Sequence, residues 1–333
     1  MTISKRSMGS IRRRSAGAVF GRRMLAGVAG LVMAGSLGGC RRANETSREA
    51  TATATATATT APLSPGCDTV GRVNVGALSA LPALSRVASA WLEGGSSDLA
   101  AAFRDGGIDP LDGTQAAWIC QTPRRSPSGG RELVVTLSGD SAPTLFARLA
   151  TPKQPGRKLT HERWGAADVL VGERIWVALR DRDLMMATTP DVLRRVLSDP
   201  SDVVRPAGDG LLSLTFTGPA LADVLSGGQP FRATSLNAVK TLFVELATGA
   251  DSLIVRLATT DRTAADSLRT ALQKFLDTLA GGMKGGGHAP VMASRVDGTD
   301  VLVSASFGRP VLDGIAQTLA MRLGARRRHA AAR

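Results

Sequence analysis

The chain has 333 residues and a mass of 34.5 kDa, and 43% of its residues are hydrophobic, enough for one large domain or two ordinary ones and too much for a wholly disordered chain. Three cysteines, three histidines, no tyrosine and 4% aromatic residues leave little material for a metal cluster, a haem site or a stacking platform, and no cofactor is expected. The formal charge of +13 is concentrated at the two ends while residues 63–321 balance, which removes the basic face that nucleic-acid binding requires.

The first forty residues read in three parts. Arg12, Arg13, Arg14, Arg22 and Arg23 form a basic segment, and residues 24–39 are apolar, rich in Gly and Ala and free of charge. A membrane-spanning helix needs roughly 20 apolar residues to cross about 30 Å, so this run suits a cleaved export signal better. It ends in Leu37-Gly38-Gly39-Cys40, which resembles the lipobox of bacterial lipoproteins. That resemblance implies a diacylglyceryl group on the Cys40 thiol, cleavage between Gly39 and Cys40, and acylation of the freed amine with a chain such as palmitate. Two or three acyl chains, each contributing about 0.8 kcal/mol per buried CH₂, hold a protein at a bilayer where one chain barely does. Gly21-Arg22-Arg23-Met24-Leu25 is also similar to a twin-arginine signal but lacks the flanking residues, so both export routes stay open, and Met8 is a second candidate start. Arg41, in place of the aspartate that retains some lipoproteins at the inner membrane, favours the outer membrane. The expected location is the cell envelope, facing the periplasm or exterior.

Residues 51–61 alternate Thr and Ala and are followed by Pro62, Ser64 and Pro65. Such a segment has no amphipathic face to bury and is expected to be a solvated linker, with an r.m.s. reach of about 25 Å over residues 41–62. With Cys40 assigned to lipid, Cys67 and Cys120 remain as an even pair in an exported chain, and a disulfide is expected between them.

From residue 68 the hydrophobic period switches repeatedly between two and 3.6, the mark of mixed α and β structure. Residues 70–75 alternate as a strand, and Leu81, Leu84, Val87, Ala88 and Trp91 then share a helical face. Strands are expected at 116–122 and 131–138 around a Pro- and Gly-rich hairpin loop, then a helix at 142–149. Three consecutive strands follow at 168–171, 175–180 and 184–187, and a helix at 190–197 with Thr189 as N-cap and Pro190 at its first position. Residues 200–210, rich in Pro, Asp and Gly, form the best boundary. Beyond it come a strand at 211–217, a helix from Gly218-Pro219, a hairpin of 241–247 with 252–259, and an amphipathic helix from Thr263 whose stripe is Ala264, Leu268, Leu272, Phe275, Leu276 and Leu279. Gly281 is expected to break it. A hairpin of 291–296 with 301–307 turns on Asp297-Gly298-Thr299, read as type I′, and a final helix carries Val311, Leu312, Ile315, Leu319 and Leu323.

The simplest account is an α+β protein of two tandem units, residues 67–200 and 208–323, each a mainly antiparallel sheet with helices packed on one face. Residues 1–39 are the signal, 40–66 the lipidated cysteine and linker, and 324–333 a basic tail. The general plan resembles bacterial extracytoplasmic proteins built from tandem α+β units, a resemblance that implies no activity.

A hydrolase needs a nucleophile, a base and usually a group that orients the base. His161, His288 and His329 are the only imidazoles; His161 begins a polar stretch before Trp164, His288 follows Lys284-Gly285-Gly286-Gly287 in a loop, and His329 lies in the basic tail. No Gly-x-Ser-x-Gly elbow or His-Glu-x-x-His is present, and His161-Glu162 reads as an exposed loop pair. Gly281–287 with Lys284 lacks the phosphate-loop spacing and follows a helix instead of opening one. The carboxylates of Asp109, Asp112 and Asp140 could meet in space as an acid and base pair. Of Trp91, Trp118, Trp164 and Trp176, three lie at apolar phases of expected elements, and the set reads as core packing more than ligand stacking. Arg124 and Arg125, flanked by prolines, suit an anionic envelope polymer, and Arg326-Arg327-Arg328 suits anionic lipid at roughly 1 kcal/mol per residue. No catalytic, metal or cofactor residues are assigned. The expected function is non-enzymatic binding or scaffolding in the envelope, with the bilayer and an envelope protein or polymer as partners. An envelope hydrolase using carboxylates and a carrier of a lipid or other apolar ligand are the alternatives.

Overall fold

The computed structural model describes residues 66–82, 84–87, 111–123, 132–151, 159–173, 175–198, 210–227, 234–249, 251–282 and 291–306, with single positions 89, 103, 109, 313 and 317. Its strands are β1 (Thr69–Asn74), β2 (Ala116–Gln121), β3 (Leu133–Ser138), β4 (Thr160–Trp164), β5 (Ala167–Val171), β6 (Trp176–Arg180), β7 (Asp183–Ala187), β8 (Leu212–Thr217), β9 (Val239–Leu246), β10 (Ser252–Thr259), β11 (Val291–Asp297) and β12 (Asp300–Ser306). The helices are α1 (Val75–Ser79), α2 (Ala142–Ala150), α3 (Pro190–Ser198), α4 (Gly218–Gly227) and α5 (Arg262–Gly282), with a 3₁₀ turn at Thr234–Ala238.

All twelve strands belong to one antiparallel sheet in the order β11-β12-β10-β9-β8-β1-β2-β3-β7-β6-β5-β4. The α+β class and the antiparallel pairing agree with the sequence pattern. The order also shows one plan on both sides of the β1–β8 junction. Strand β3 leads through α2, and then through the β4–β5 hairpin, to the β6–β7 hairpin, whose β7 returns to β3; β10 leads through α5 straight to the β11–β12 hairpin, whose β12 returns to β10. At the junction β1 pairs with both β2 and β8, and a Cβ on Gly71 would sit 2.7 Å from Leu214 Cδ2. A side chain at this position would push the end of that leucine away from the joint.

Helix placement departs from the one-face expectation in one element. Leu145, Phe146 and Leu149 of α2 pack on Val135, Leu137, Val177, Leu184 and Met186. Val192, Leu193 and Val196 of α3 pack instead on Val134, Ala178, Met185 and Ala187. Neighbouring residues of a strand point to opposite faces, so α2 and α3 sandwich the sheet. On the other side of the junction, Leu214, Phe216, Leu242, Val244, Leu257 and Val301 face Ala220 and Leu221 of α4 and Ala265 and Leu268 of α5. That core lies on the α2 face, because Leu214 pairs through Gly71 with Ile119, which packs against the α2 core.

Local chemistry corrects several boundaries. His161 and Glu162 lie in β4, an edge strand, and not in a loop; its polar sequence Thr-His-Glu-Arg-Trp carries no apolar alternation to betray it. Pro190 does open α3, but the Thr189 hydroxyl, though buried, has no hydrogen-bond partner and caps nothing. Asp261 caps α5, its Oδ1 accepting from the Ala264 N–H at 2.8 Å, and α5 runs on through Gly281 and Gly282. In the 297–300 turn Gly298 has φ +62°, while Thr299 is not in the positive-φ region, the pattern of a type II′ turn and not type I′. The final helix expected around Ile315 lies outside the described residues except for Asp313 and Gln317, both helical and exposed.

Candidate functional site

Cys67 and Cys120 form a disulfide, with Cα atoms 5.6 Å apart. Strand pairing brings them together: β1 and β2 run antiparallel with Val70 opposite Cys120, and the Asp68 N–H donates to the Gln121 carbonyl at 2.9 Å. The bond therefore ties the entry of the fold to its second strand. Gly39 and Cys40, the expected cleavage and lipid-attachment residues, lie outside the described residues. So do Trp91, Arg124, Arg125, Lys284, His288, His329 and the tail arginines.

A cleft of about 420 Å³ opens where β2 begins, β3 ends and β7 begins, lined by Gln115, Trp118, Ser138, Gly139, Asp140, Asp181, Arg182 and Asp183. Register builds it. Ser138 lies opposite Ala116 on one side and Asp183 on the other, so Trp118, Ser138 and Asp183 share the face that carries α3. The Ser138 hydroxyl donates to Asp183 Oδ1. At the rim Arg182 Nη1 lies 3.0 Å from Asp140 Oδ1, both side chains mostly exposed. The Gly139 N–H donates to the Arg182 carbonyl at 3.1 Å, and the Gln115 N–H to the Ser138 carbonyl at 2.9 Å. Gly139 has φ +156° and a Cβ there would be 2.6 Å from the Gly113 carbonyl oxygen, so the 113 and 139 loops touch through backbone.

Of the three carboxylates singled out in the sequence, only Asp140 lines this cleft. Asp109 turns back on its own loop, its Oδ1 accepting from the Leu111 N–H at 2.9 Å, and Asp112 is exposed with its N–H bonded to the Asp109 carbonyl. The companions of Asp140 are Asp181 and Asp183, which sequence reasoning missed. Asp181, at φ +53°, and Arg182 make the tight β6–β7 turn, and that turn was the one available signal. The arrangement offers acceptors already engaged by an arginine and a hydroxyl, beside an indole wall. Such a surface can bind, and it presents no imidazole to carry a proton.

His161 and Glu162 are neighbours on a strand and point to opposite faces. His161 Nε2 is 3.4 Å from Asp168 Oδ1 and its ring meets Phe146 edge-on at 6.3 Å. Glu162 instead accepts from Trp164 Nε1 at 2.8 Å. Among the described residues no group of three or more His, Cys, Asp or Glu side chains is placed to hold a metal ion, and no helix is long and apolar enough to cross a membrane. Trp164 and Trp176 pack at the margin of the α3 core, with Arg194 over Trp164 at 4.6 Å.

No protein-family model matches the chain, and no curated protein matches it. Among solved structures it is similar to three crystal forms of TP0453. Form III has a TM-score of 0.47 at 11% identity over 77% of this chain and 95% of that one. Form I gives 0.45 and 14% over 76% and 94%, and form IV gives 0.46 and 13% over 79% and 98%. At these scores nothing of TP0453 is carried over to this chain.

Proposed function

We infer that the chain is a lipid-anchored protein of the bacterial cell envelope whose folded part acts by contact, binding or scaffolding, and not by chemistry of its own. The carrying observation is cysteine use. The disulfide takes Cys67 and Cys120, and of the three cysteines in the chain this leaves Cys40, the one at the end of the lipobox-like run. A bond between the other two is what an oxidising compartment favours, so both features point outside the cytosol. Intact-mass analysis of the protein extracted from membranes tests this reading. The expected mass is that of a chain beginning at Cys40 and carrying a diacylglyceryl group, with Cys67 and Cys120 oxidised, and Cys40→Ser is expected to abolish both processing and membrane retention. An unmodified Cys40 on a full-length chain with free thiols overturns it.

A further inference from the structure

The sheet ends in two different edges. At one end β4 presents Thr160, His161, Glu162, Arg163 and Trp164, charged or polar in four of five positions and pinned by the Glu162–Trp164 hydrogen bond and the Arg194 guanidinium over Trp164. Charged side chains on a short edge are how sheets resist pairing with other chains. At the other end β11 is seven residues long, Val-Met-Ala-Ser-Arg-Val-Asp, and pairs with β12 along its whole length without a register shift. It has no proline, and the side facing α5 carries Met292, Ser294 and Val296, none charged. Ser294 Oγ there donates to Gln273 Oε1 at 2.7 Å. Val291, at the start of this strand, is the one large hydrophobic side chain exposed among the described residues, at 74%. Among those residues no strand lies beyond β11.

The other half of the molecule shows what such an edge accepts. Strand β6 occupies the place in its half that β11 occupies in the other, the outer strand of a hairpin whose inner strand returns to the strand before the helix. On β6 that place is filled: β5 pairs with it antiparallel, from Asp168 opposite Leu179 to Val171 opposite Trp176. We propose that β11 is a strand-docking edge and that its occupant is β11 of a second copy, joining the two sheets antiparallel about a two-fold axis near Ser294.

Centring the axis on Ser294 pairs all seven residues. Met292 then faces Val296 on the α5 side, Val291 faces Asp297 and Ala293 faces Arg295 on the other, and no like charges lie directly opposite. The axis is perpendicular to the sheet, so the two α5 helices, each packed on β11 and β12, flank the seam on the same face and add contact that strand pairing alone lacks. With β4 guarded, the contact is isologous and closes at two copies, where two open edges would propagate a fibre.

Sedimentation velocity on the full chain in excess detergent micelles tests this. Wild type is expected to be a dimer. Val291→Asp with Ala293→Lys, both at exposed positions, places like charges opposite Asp297 and Arg295 of the second copy and is expected to weaken the dimer at least about tenfold in Kd with unchanged circular dichroism, whereas Thr160→Lys on the β4 edge leaves it intact. A Ser294→Cys chain is expected to be joined into a covalent dimer across the axis by a short bifunctional thiol reagent, since opposed Cβ atoms in an antiparallel pair lie about 4.5–5.5 Å apart. A wild type that is monomeric throughout, a dimer indifferent to the β11 charges, or assemblies larger than two overturn the proposal.

Discussion

The half of the sheet running from β2 to β7 and the half running from β8 to β12 share a strand plan but not a layer count. In β7 Leu184, Met185, Met186 and Ala187 are all buried, and Val177 and Ala178 of β6 are buried in succession; such runs need a cover on both faces, and α2 and α3 supply it. In β8 the sequence alternates as Leu212-Ser213-Leu214-Thr215-Phe216-Thr217, and β11 alternates in exposure along its length. Strands of that kind bury one face, and α4 and α5 cover it; the opposite face carries the Arg256–Asp300 ion pair, and there the buried Phe243 of β9 lies between Thr215 and Arg256 of its neighbouring strands and under none of the described helices' core residues. The lesson is that a second layer follows where neighbouring strands, β6 and β7, both bury apolar residues in succession, whereas a single buried side chain such as Phe243 is covered by its strand neighbours.

The sharpest way to break this comparison is to put a charge on the same face of corresponding strands. Met185 of β7 and Ser304 of β12 both point away from the α2 face, yet Met185 is 3% exposed and Ser304 is exposed. Met185→Lys buries an unpaired ammonium under α3 and is expected to cost about 3–5 kcal/mol. Ser304→Lys is expected to stay within about 0.5 kcal/mol. Urea denaturation of both variants measures the difference; equal costs would mean that the second half is covered on both faces as the first is. A smaller effect separates the halves by their covalent bond. The disulfide spans 53 residues of sequence, and Cys67→Ser with Cys120→Ser is expected to remove about 2–4 kcal/mol. Hydrogen exchange is expected to show β1–β3 losing protection before β9–β12, and uniform loss across the sheet would mean that the two halves open as one unit.

These contrasts also explain what could be read in advance. Strands with a clean period, such as β8, β10 and β12, lay within a residue or two of their expected bounds because alternation and turn residues agree there. The placement of α3 was encoded in the unbroken Leu184-Met185-Met186-Ala187 run, a signal of two-sided burial that a one-face expectation passed over. Strand β4 was illegible because an edge strand needs no apolar face, only a partner. The disulfide was readable from cysteine counting, which needs no geometry. The cleft was not, since Trp118, Asp140 and Asp183 come from three strands whose neighbourhood is fixed by the non-local β3–β7 pairing; carboxylates close in sequence, Asp109 and Asp112, proved poor guides to carboxylates close in space.

The smallest expected effect concerns one cap in the second half. Asp261 is fully exposed, yet its carboxyl is held below the usual aspartate range of about 3.9, first by the backbone N–H of Ala264 and then by the Thr260 hydroxyl and the Thr263 N–H. All of these donate to the ionised form, and a negative charge at the start of α5 also meets the positive end of the helix dipole. A depressed folded-state value means that the unfolded chain binds this proton more readily, so the stabilisation is complete above the unfolded value and fades as pH falls through the folded one. Asp261→Asn keeps an acceptor for the Ala264 N–H but cannot titrate. The expected result is a thermal midpoint slightly below wild type at neutral pH and a gap that closes as the pH is lowered past the aspartate range. Asp261→Ala should fall below Asp261→Asn at every pH, because it removes the acceptor as well as the charge. Thermal melts of the three chains from neutral to strongly acidic pH separate the two contributions, and a gap between wild type and Asp261→Asn that persists unchanged in acid would show that the charge contributes nothing to holding α5.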